Sequence, residues 1–503
     1  MSPRRASRTG VPGRELKLSL KVRIQGILEN VNKPKIGKNG KPGKPSKTYT
    51  ARWVVDTEPH RLTFATWTLA DAWRNELLGY QRRGIPFDVE SGLPEPLARK
   101  AASKSWYEHA VAFVDMKWPD IAPKSRSSIA ESLSRATTAL TTSTRDAPDA
   151  KLLRQALEHY AFNTAARAAG PPPEPLAAAV EWISHNTVAM TDFDDHTQGS
   201  ALVRAALNRI AVRVDTGKQA AANTVARRRA VLHACLDYAV ELGILPANPL
   251  KRVKWSAPKS TTVVDRRTVV NPTQARRFLE EVGKTGRQGP RLVAFFALMY
   301  WAGLRPSEAL HLKRSNLLSL PSKGWGEGLL TRSNPRGGRR WTNEGRSREE
   351  RQLKHRAQGD TRPFPIHPEL VSVLRTHIDE FKIGPDELIF LGPRGGLLAE
   401  WVYLETFHTA REAALTPSEA ASPLLDVPYS LRHACVSTWL NAGVPATQVA
   451  EWAGHSVEVL LRVYAKCLVG QDEVARRRIE GATQPPDEEP PENDPQTNKP
   501  DSE

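Results

Sequence analysis

Two stretches of this chain carry side chains whose types and spacing suggest chemistry. The later stretch, Tyr429 to Tyr464, contains Arg432, His455 and a terminal tyrosine at spacings that a unit of helices and turns would bring to one point. A second arginine, Arg305, lies far upstream in the sequence Gly-Leu-Arg-Pro-Ser-Glu. Arginine, histidine and tyrosine without a set of metal ligands predict the attack of a tyrosine on a phosphodiester.

This chemistry gives each side chain a distinct task. The displacement passes through a pentacoordinate phosphorus whose non-bridging oxygens gain charge, and Arg305 and Arg432 can each offer two hydrogens to them. Tyr464 is the expected nucleophile, because a covalent intermediate conserves the energy of the broken bond. Lys354 is the expected donor of a proton to the leaving 5′ oxygen. No metal ion and no other cofactor is expected.

Taken singly, these residues have ordinary structural explanations. An arginine that follows Gly-Leu at a helix end is more often a surface cap, and a tyrosine after an apolar run is more often part of a core. The order and spacing of the whole set carry the functional prediction.

Composition independently predicts a polyanionic partner. The 503 residues include 72 Lys and Arg against 55 Asp and Glu, a formal net charge of +17. A solvated basic surface is the alternative, but an excess of this size favours DNA or RNA. The length predicts two to four domains.

The chain is expected to be soluble, cytoplasmic and nucleoid-associated. Its three cysteines are far apart and form no Cys-X-X-Cys pair, so neither a disulfide framework nor a zinc site is expected. No apolar run reaches the roughly 18 residues that a membrane-spanning helix needs, and no signal sequence is recognised at the N-terminus.

The N-terminal part predicts a small DNA-binding module over residues 18–90, after a disordered basic tail at 1–17. A strand at Leu18 to Leu28 is expected to place Leu18, Leu20, Val22 and Ile24 on one face. The other predictions are a basic loop at 32–47, strands at 49–55 and 61–66 joined by a turn at 56–60, and a helix at 69–78. The alternative is a purely structural sheet with a solvated loop.

A linker at 84–96 is predicted to lead into an all-helical domain at 101–255. The last long helix, 221–242, contains Arg227, Arg228 and Arg229, which are predicted either to form a solvated face or to contact phosphates.

The third domain is predicted at 265–478, with a disordered acidic, Pro-rich tail at 479–503. Asn271 and Gln274 predict a capping box at the start of a helix. A small sheet is expected from segments 329–331, 352–354 and 362–366, and the intervening Ser333 to Arg351 insertion is expected to stay outside any core. Further helices are predicted at 291–302, 368–381, 401–415, 430–441 and 446–452.

Three motifs resemble the signature sequences of the tyrosine recombinases, the phage integrase family: Gly303 to Leu310, Tyr429 to His433, and Gly454 to Ser456 with Tyr464. The resemblance implies a multidomain, mainly α fold. Its parts would be a β-sheet-plus-helix arm-binding module, an all-helical core-binding domain and an α+β catalytic domain. The implied catalytic residues are Arg305, Lys354, Tyr429, Arg432, His455 and Tyr464.

One position departs from the family pattern, since Tyr429 stands where a histidine is usual. A phenol can hydrogen-bond a phosphate oxygen, but its ordinary pKa of about 10 makes it a poor base at neutral pH. The acceptor of the Tyr464 proton therefore stays open among His455, His433 and a substrate oxygen. Glu308 is expected to brace Arg305 or cap a helix, and Lys323 is the second candidate for the general acid.

The implied function is site-specific recombination that integrates or excises a mobile element through a 3′-phosphotyrosine intermediate. Implied partners are double-stranded DNA at core and arm attachment sites, three further copies of the chain in a synaptic tetramer, and an accessory DNA-bending or excision factor. The segment 465–479 is predicted to couple the protomers by packing on a neighbouring catalytic domain, and packing on its own catalytic domain is the alternative. The alternatives are a type IB topoisomerase-like enzyme and a non-catalytic DNA-binding regulator.

Overall fold

The computed structural model describes residues 16–32, 46–258, 263–333, 335–353, 359–464, 467, 476–477, 479–480 and 483. Several predictions lie wholly or mainly outside these residues: both terminal tails, the basic loop, Lys354 and the coupling segment after Tyr464. The fold is multidomain and mainly helical, as predicted. Two compact units are present, residues 1–260 with 337–347, and residues 261–336 with 348–503. Within the described part of the chain, no helix is both long and apolar enough to cross a membrane.

The first unit begins with short strands and one helix. They are β1 (Leu18–Ser19), β2 (Val22–Ile24), β3 (Leu28–Val31), β4 (Lys47–Val55), β5 (Glu58–Phe64), α1 (Trp67–Arg82) and β6 (Phe87–Asp88). Strand β4 is central and pairs antiparallel with β2, β3 and β5, while β1 pairs with β6. Alternate residues of β4, including Ala51, Trp53 and Val55, are buried on the side that faces α1.

Three local predictions in this region are wrong. The single strand at 18–28 is divided into three, and Leu18 and Leu20 are exposed because only Val22 and Ile24 pack on the core. The turn contains only residues 56 and 57, since the positive φ of Asp56 permits a tight hairpin. The expected linker holds buried Phe87, whose ring belongs to the core under α1.

The rest of the first unit is helical, as predicted. Its helices are α2 (Glu95–Ala102), α3 (Trp106–Lys117), α4 (Pro123–Ala139), α5 (Ala150–Ala156), α6 (Thr164–Ala168), α7 (Leu176–His185), α8 (His196–Ile210) and α9 (Ala222–Glu241). Within α9, Arg228 is buried and pairs with Glu131 of α4 at 2.6 Å. Arg228 therefore belongs to neither of the predicted alternatives, a solvated face or a phosphate contact.

The insertion was predicted to stay outside any core, and this is wrong for residues 337–347. Trp341 is buried in the helical core, with its ring centroid 6.1 Å from that of Trp118. Arg126 donates to the Trp341 carbonyl at 2.9 Å and stacks its guanidinium over Trp118. Because the insertion is rich in Arg and Gly, its composition did not indicate that Trp341 is a core residue.

The second unit combines helices with a small sheet. Its elements are α10 (Pro272–Lys284), α11 (Gly289–Trp301), α12 (Pro306–Ala309), β7 (Leu317–Ser319), β8 (Gly326–Leu330), β9 (Arg362–Ile366), α13 (Pro368–Phe381), α14 (Glu400–Ala414), α15 (Pro417–Ala420), α16 (Tyr429–Asn441), α17 (Ala446–Ala453) and α18 (Val457–Tyr464). The strands form an antiparallel sheet in the order β7-β8-β9.

The main core of this unit lies among α10, α11, α13 and α14, where the rings of Phe278, Phe295, Phe296 and Phe407 pack together. Asn271 and Gln274 form the predicted capping box at the start of α10. The sheet differs from the prediction because β7 supplies one strand, whereas Gln352 and Leu353 form none. A second, smaller core joins α16, α17 and α18.

Candidate active site

Arg305 is positioned by the way α11 ends. Gly303 follows α11 with a φ of +63°, a conformation that L side chains rarely adopt, and the chain turns there into α12. Arg305 becomes the N-cap of α12, and its backbone N–H donates to Glu308 Oε2 at 2.8 Å. Its side chain returns to the same carboxylate, with Nη1 2.7 Å from Glu308 Oε1. Glu308 therefore both caps the helix and holds the guanidinium, the two tasks expected for it.

Glu308 also pairs with a second, unpredicted arginine. Arg362, the first residue of β9, donates to both carboxylate oxygens at 2.8 and 2.7 Å, and both side chains are almost completely buried. Burial alone would raise the pKa of Glu308, but the charges of Arg362 and Arg305 outweigh it and lower the pKa to about 2. The carboxylate is thus ionised at neutral pH.

Arg432 occupies the centre of the site. It lies in the first turns of α16, is fully buried, and donates to the carbonyl oxygens of Gly303 and Ala453. Its Nη2 also lies 3.0 Å from His455 Nε2. One guanidinium therefore joins the end of α11 to the turn after α17.

The turn after α17 depends on a glycine. Gly454 has a φ of +63°, and its carbonyl accepts from Arg305 Nη2 at 2.8 Å. A Cβ atom at this position would lie only 2.4 Å from Arg362 Nη1. The absence of a side chain at Gly454 therefore lets Arg305, Arg362 and Arg432 approach one turn. The same turn places His455 beside Arg432.

His455 is neutral in this environment. Burial first, and then the charges of Arg432, Arg305 and Arg362, lower its pKa to about 3. Because an arginine can only donate, the Nε2 of neutral His455 accepts from Arg432, and the ring proton resides on Nδ1.

Tyr464, the last residue of α18, is fully buried in the smaller core. Its hydroxyl lies 2.8 Å from Nδ1 of His433 on α16. Burial raises the pKa of Tyr464, and burial followed by the charge of Arg432 lowers that of His433 to about 4. The Tyr464 hydroxyl is therefore enclosed by the surrounding side chains.

Tyr429 lies at the start of the same helix as His433. The two ring centroids are 5.0 Å apart, and the guanidinium of Arg432 lies 5.8 Å from the Tyr429 ring. Five of the six predicted site residues thus lie in one connected cluster. Lys354 lies outside the described residues, and Lys323 is exposed between β7 and β8.

Sequence reasoning missed Arg362 and left His433 as one of several possible proton acceptors. The signal for Arg362 was its place in the predicted strand, where alternate residues Arg362, Phe364 and Ile366 all face inward. A charged residue at an inward strand position requires a buried partner, and Glu308 is the carboxylate that it meets.

A different set of arginines covers the open face of the N-terminal sheet. Arg52 on β4 lies directly opposite Arg61 on β5, and Arg23 on β2 lies opposite the neighbouring Val54, so all three side chains share the face turned away from α1. All three are exposed. Like charges directly opposed across strands are unfavourable, so this arrangement favours an anionic partner.

Residues 268–468 match the phage integrase family, and this range covers most of the second unit together with residues 337–347 of the first. That segment is about two fifths of the chain and contains every described residue of the buried cluster, and the match supports the phage integrase family of tyrosine recombinases. The resemblance of the motifs is thereby confirmed.

The individual relatives are distant. Tyrosine recombinase XerC of Nitrobacter winogradskyi is 25% identical over 231 residues, and that of Bradyrhizobium diazoefficiens is 24% identical over 226 residues. Each match covers 44% of this chain and 59% of the relative, so the chain spans about three fifths of the length of these curated relatives.

Two solved structures illustrate the structural matches. The Tn1549 transposon integrase in complex with transposon right end DNA is 15% identical with a TM-score of 0.43, covering 66% of this chain and 99% of that one. The XerH site-specific recombinase bound to difH substrate is 13% identical with a TM-score of 0.40, covering 77% and 97%.

Proposed function

We propose that the protein is a site-specific DNA recombinase that cuts and rejoins DNA through a 3′-phosphotyrosine intermediate. The observation that carries this proposal is the single hydrogen-bonded cluster that links Arg305, Arg432 and His455, with Tyr464 against the same turn. Such a cluster offers fixed positive charge beside a hydroxyl nucleophile, which is what displacement at a phosphodiester requires.

In the proposed reaction, the Tyr464 oxygen attacks phosphorus and the 5′ oxygen of the DNA leaves. Arg305 and Arg432 stabilise the charge that develops on the non-bridging oxygens, and Tyr429 is proposed to hydrogen-bond one of them. Lys354 is proposed to protonate the leaving oxygen. The 5′ hydroxyl of a second strand then attacks the phosphotyrosine, so that no external energy source is needed.

The proposed DNA contacts use separate parts of the chain. The helical part of the first unit, residues 101–255, is proposed to bind core sites next to the cleavage point. The sheet with Arg23, Arg52 and Arg61 is proposed to bind arm sites, because its exposed arginines suit phosphate contacts in a groove. The net charge of +17 supports both assignments.

Strand exchange joins four DNA strands, so we propose a tetramer as the active assembly. The segment 465–479 is the proposed coupler, with apolar Leu468, Val469, Val474 and Ile479 among polar neighbours. We also propose that the tetramer integrates or excises a mobile element. An accessory DNA-bending or excision factor and association with the nucleoid belong to the same proposal. The coupling role of 465–479 is tested by truncating the chain after Tyr464 and measuring the size of its complexes with two DNA partners. Normal four-protomer complexes of the truncated chain would contradict that role.

A type IB topoisomerase-like enzyme is the second candidate, since it would use a similar cluster. The arginine-bearing sheet favours the recombinase, because relaxing supercoils needs no second DNA-binding address. A non-catalytic regulator is disfavoured by the intact set of Arg305, Arg432, His455 and Tyr464.

The test is the formation of a covalent protein–DNA adduct. A duplex that the full-length protein selects from a randomised library is nicked near its centre, incubated with the protein and analysed on a denaturing gel. We expect an adduct with the wild type and with Tyr403→Phe, a buried tyrosine outside the cluster. Tyr464→Phe is expected to bind the duplex normally and to form none. An undiminished adduct from Tyr464→Phe would refute the assignment of the nucleophile.

A further inference from the structure

We infer that His433 is a catalytic residue that accepts the proton of Tyr464 during attack, because its Nδ1 is the imidazole nitrogen in contact with the nucleophile. This inference rests on the proposed function and settles a point that the motifs leave open. The family pattern offers a histidine where this chain has Tyr429, which leaves His455, His433 and a substrate oxygen as candidates for the acceptor.

The geometry discriminates between the two histidines. His433 Nδ1 lies 2.8 Å from the Tyr464 hydroxyl, a normal hydrogen-bond length. The ring of His455 is stacked on Tyr464 with a centroid separation of 6.3 Å, and its Nε2 is occupied by Arg432. With Nε2 accepting and Nδ1 carrying the proton, neutral His455 has no lone pair left to receive another.

The groups around His433 keep it neutral. Arg432 and Tyr429 lie on its own helix, Asp426 lies just before that helix, and Tyr464 and His455 face it from the α17–α18 region. Burial and Arg432 lower the pKa of His433, and Asp426 opposes them weakly. The neutral ring has one lone pair, and an anionic phosphate placed beside Arg432 would raise its proton affinity when DNA is bound.

The proton balance is complete in both directions. As the bond between the Tyr464 oxygen and phosphorus forms, the tyrosine O–H bond breaks and its proton moves to His433 Nδ1. The bond from phosphorus to the 5′ oxygen breaks, and that oxygen takes a proton from the general acid, proposed as Lys354. On rejoining, a 5′ hydroxyl attacks the phosphotyrosine and gives its proton to the general acid, proposed as Lys354, which was left deprotonated by the first step. The bond from phosphorus to the Tyr464 oxygen breaks, and His433 returns its proton to that oxygen.

The test is the pH dependence of single-turnover cleavage by the full-length protein. The probe is the library-selected duplex with sulfur in place of the bridging 5′ oxygen at the cleaved position, because a thiolate leaves without a general acid. Between about pH 6 and about pH 9, the wild-type rate is expected to be nearly flat, since neutral His433 is already available. His433→Asn keeps a polar group near the Nδ1 position but accepts no proton at these pH values.

For His433→Asn, cleavage should depend on hydroxide and rise roughly tenfold per pH unit, with a loss of ~10²–10⁴-fold at pH 7. His408→Asn, an exposed histidine on α14, is the matched control and should behave as the wild type. A purely structural role for His433 would lower the rate equally at every pH. A flat profile for His433→Asn at the wild-type or any reduced rate would therefore overturn the inference.

Two further results keep the test decisive. If His433→Asn fails to fold by thermal denaturation, His433→Gln is measured in its place with the same expected profile. Failure of the wild type to form any adduct would overturn the proposed function as a whole. An active wild type, an inactive Tyr464→Phe and a flat His433 variant would overturn only the role of His433.

Discussion

The two groups of arginines in this protein differ in almost every physical respect. Arg362 and Arg432 are buried, and with Arg305 they are held by Glu308 or by backbone carbonyls of the turns around the site. Arg52 and Arg61 lie opposite each other on an open sheet and are exposed to solvent. The buried group is held by hydrogen bonds, whereas the exposed group faces solvent.

This difference predicts that the buried arginines determine the rate of DNA cleavage and the exposed arginines contribute to the affinity for DNA. Preorganised charge in a site of low dielectric stabilises a transition state, because it needs no rearrangement when charge develops. Exposed charge on a flexible side chain contributes mainly by releasing counterions from DNA, and salt weakens that contribution. Substitutions in the buried group should change cleavage, and those on the sheet should change binding.

The largest effect after loss of the nucleophile is expected at Lys354. Lys354→Ala should slow cleavage of ordinary DNA by ~10²–10⁴-fold, because the leaving oxygen would lack its proton donor. A bridging 5′ sulfur should largely restore the rate in single-turnover assays. Without that rescue, the acid lies elsewhere, and Lys323→Ala should then show the loss and the rescue instead.

Arg305→Ala should reduce cleavage by ~10²–10³-fold, the typical result of removing one preorganised donor. Equilibrium binding of the selected duplex should change much less, because exposed charges elsewhere in the chain dominate affinity. Parallel measurement of single-turnover rates and dissociation constants checks this prediction. Equal losses in rate and affinity would show that the buried arginines do not differ in role from the exposed ones.

Glu308 should make stability depend on pH. Its pKa falls from 4.5 to about 2 on folding, so its stabilising contribution is fully present above about pH 4.5 and is lost as pH falls toward 2. Glu308→Gln should therefore lower the free energy of unfolding by roughly 3 kcal/mol at neutral pH, with the difference shrinking in acid. Urea denaturation across this range measures it.

The matched control is Glu281→Gln, which removes a surface pair with Lys284. Such a pair is worth at most about 1 kcal/mol, so this variant should stay close to the wild type at every pH. A constant difference between Glu308→Gln and the wild type down to pH 2 would contradict the assignment.

The smallest expected effect is on the sheet. Arg52→Ala and Arg61→Ala should each reduce the salt dependence of DNA binding by about one unit in the slope of log affinity against log salt. Arg267→Ala is the control, because it removes an exposed arginine that pairs with Asp265 outside both proposed DNA-binding regions. Single-turnover cleavage of bound core DNA should be unaffected, and an unchanged salt slope would make the sheet purely structural.

Much of the second unit was predictable because its signals are local. Asn271 and Gln274 fix a helix start by direct side-chain contacts, and the predicted helix at 368–381 has the observed bounds. The recombinase motifs similarly indicated Arg305, Arg432 and Tyr464 as one group.

The errors arose where a distant partner determines the structure. Arg362 is buried only because Glu308 meets it from 54 positions away, and Trp341 finds its core against Trp118 more than two hundred positions earlier. Leu18 and Leu20 alternate like a strand face, but both are exposed, because no layer formed by the described residues covers them. Periodicity reports which residues are apolar, whereas tertiary contacts decide which of them are covered.

The position of Trp341 also limits how this chain can be divided by evolution or by the experimenter. Residues 337–347 belong to the first unit although the chain on both sides of them belongs to the second. Cutting the chain in the linker near residue 260 would therefore remove Trp341 from the core of the first unit. The second unit would then carry a tryptophan whose packing partners are absent. The two units are not interchangeable cassettes, and any exchange with a relative must carry this eleven-residue segment together with the helices that enclose it.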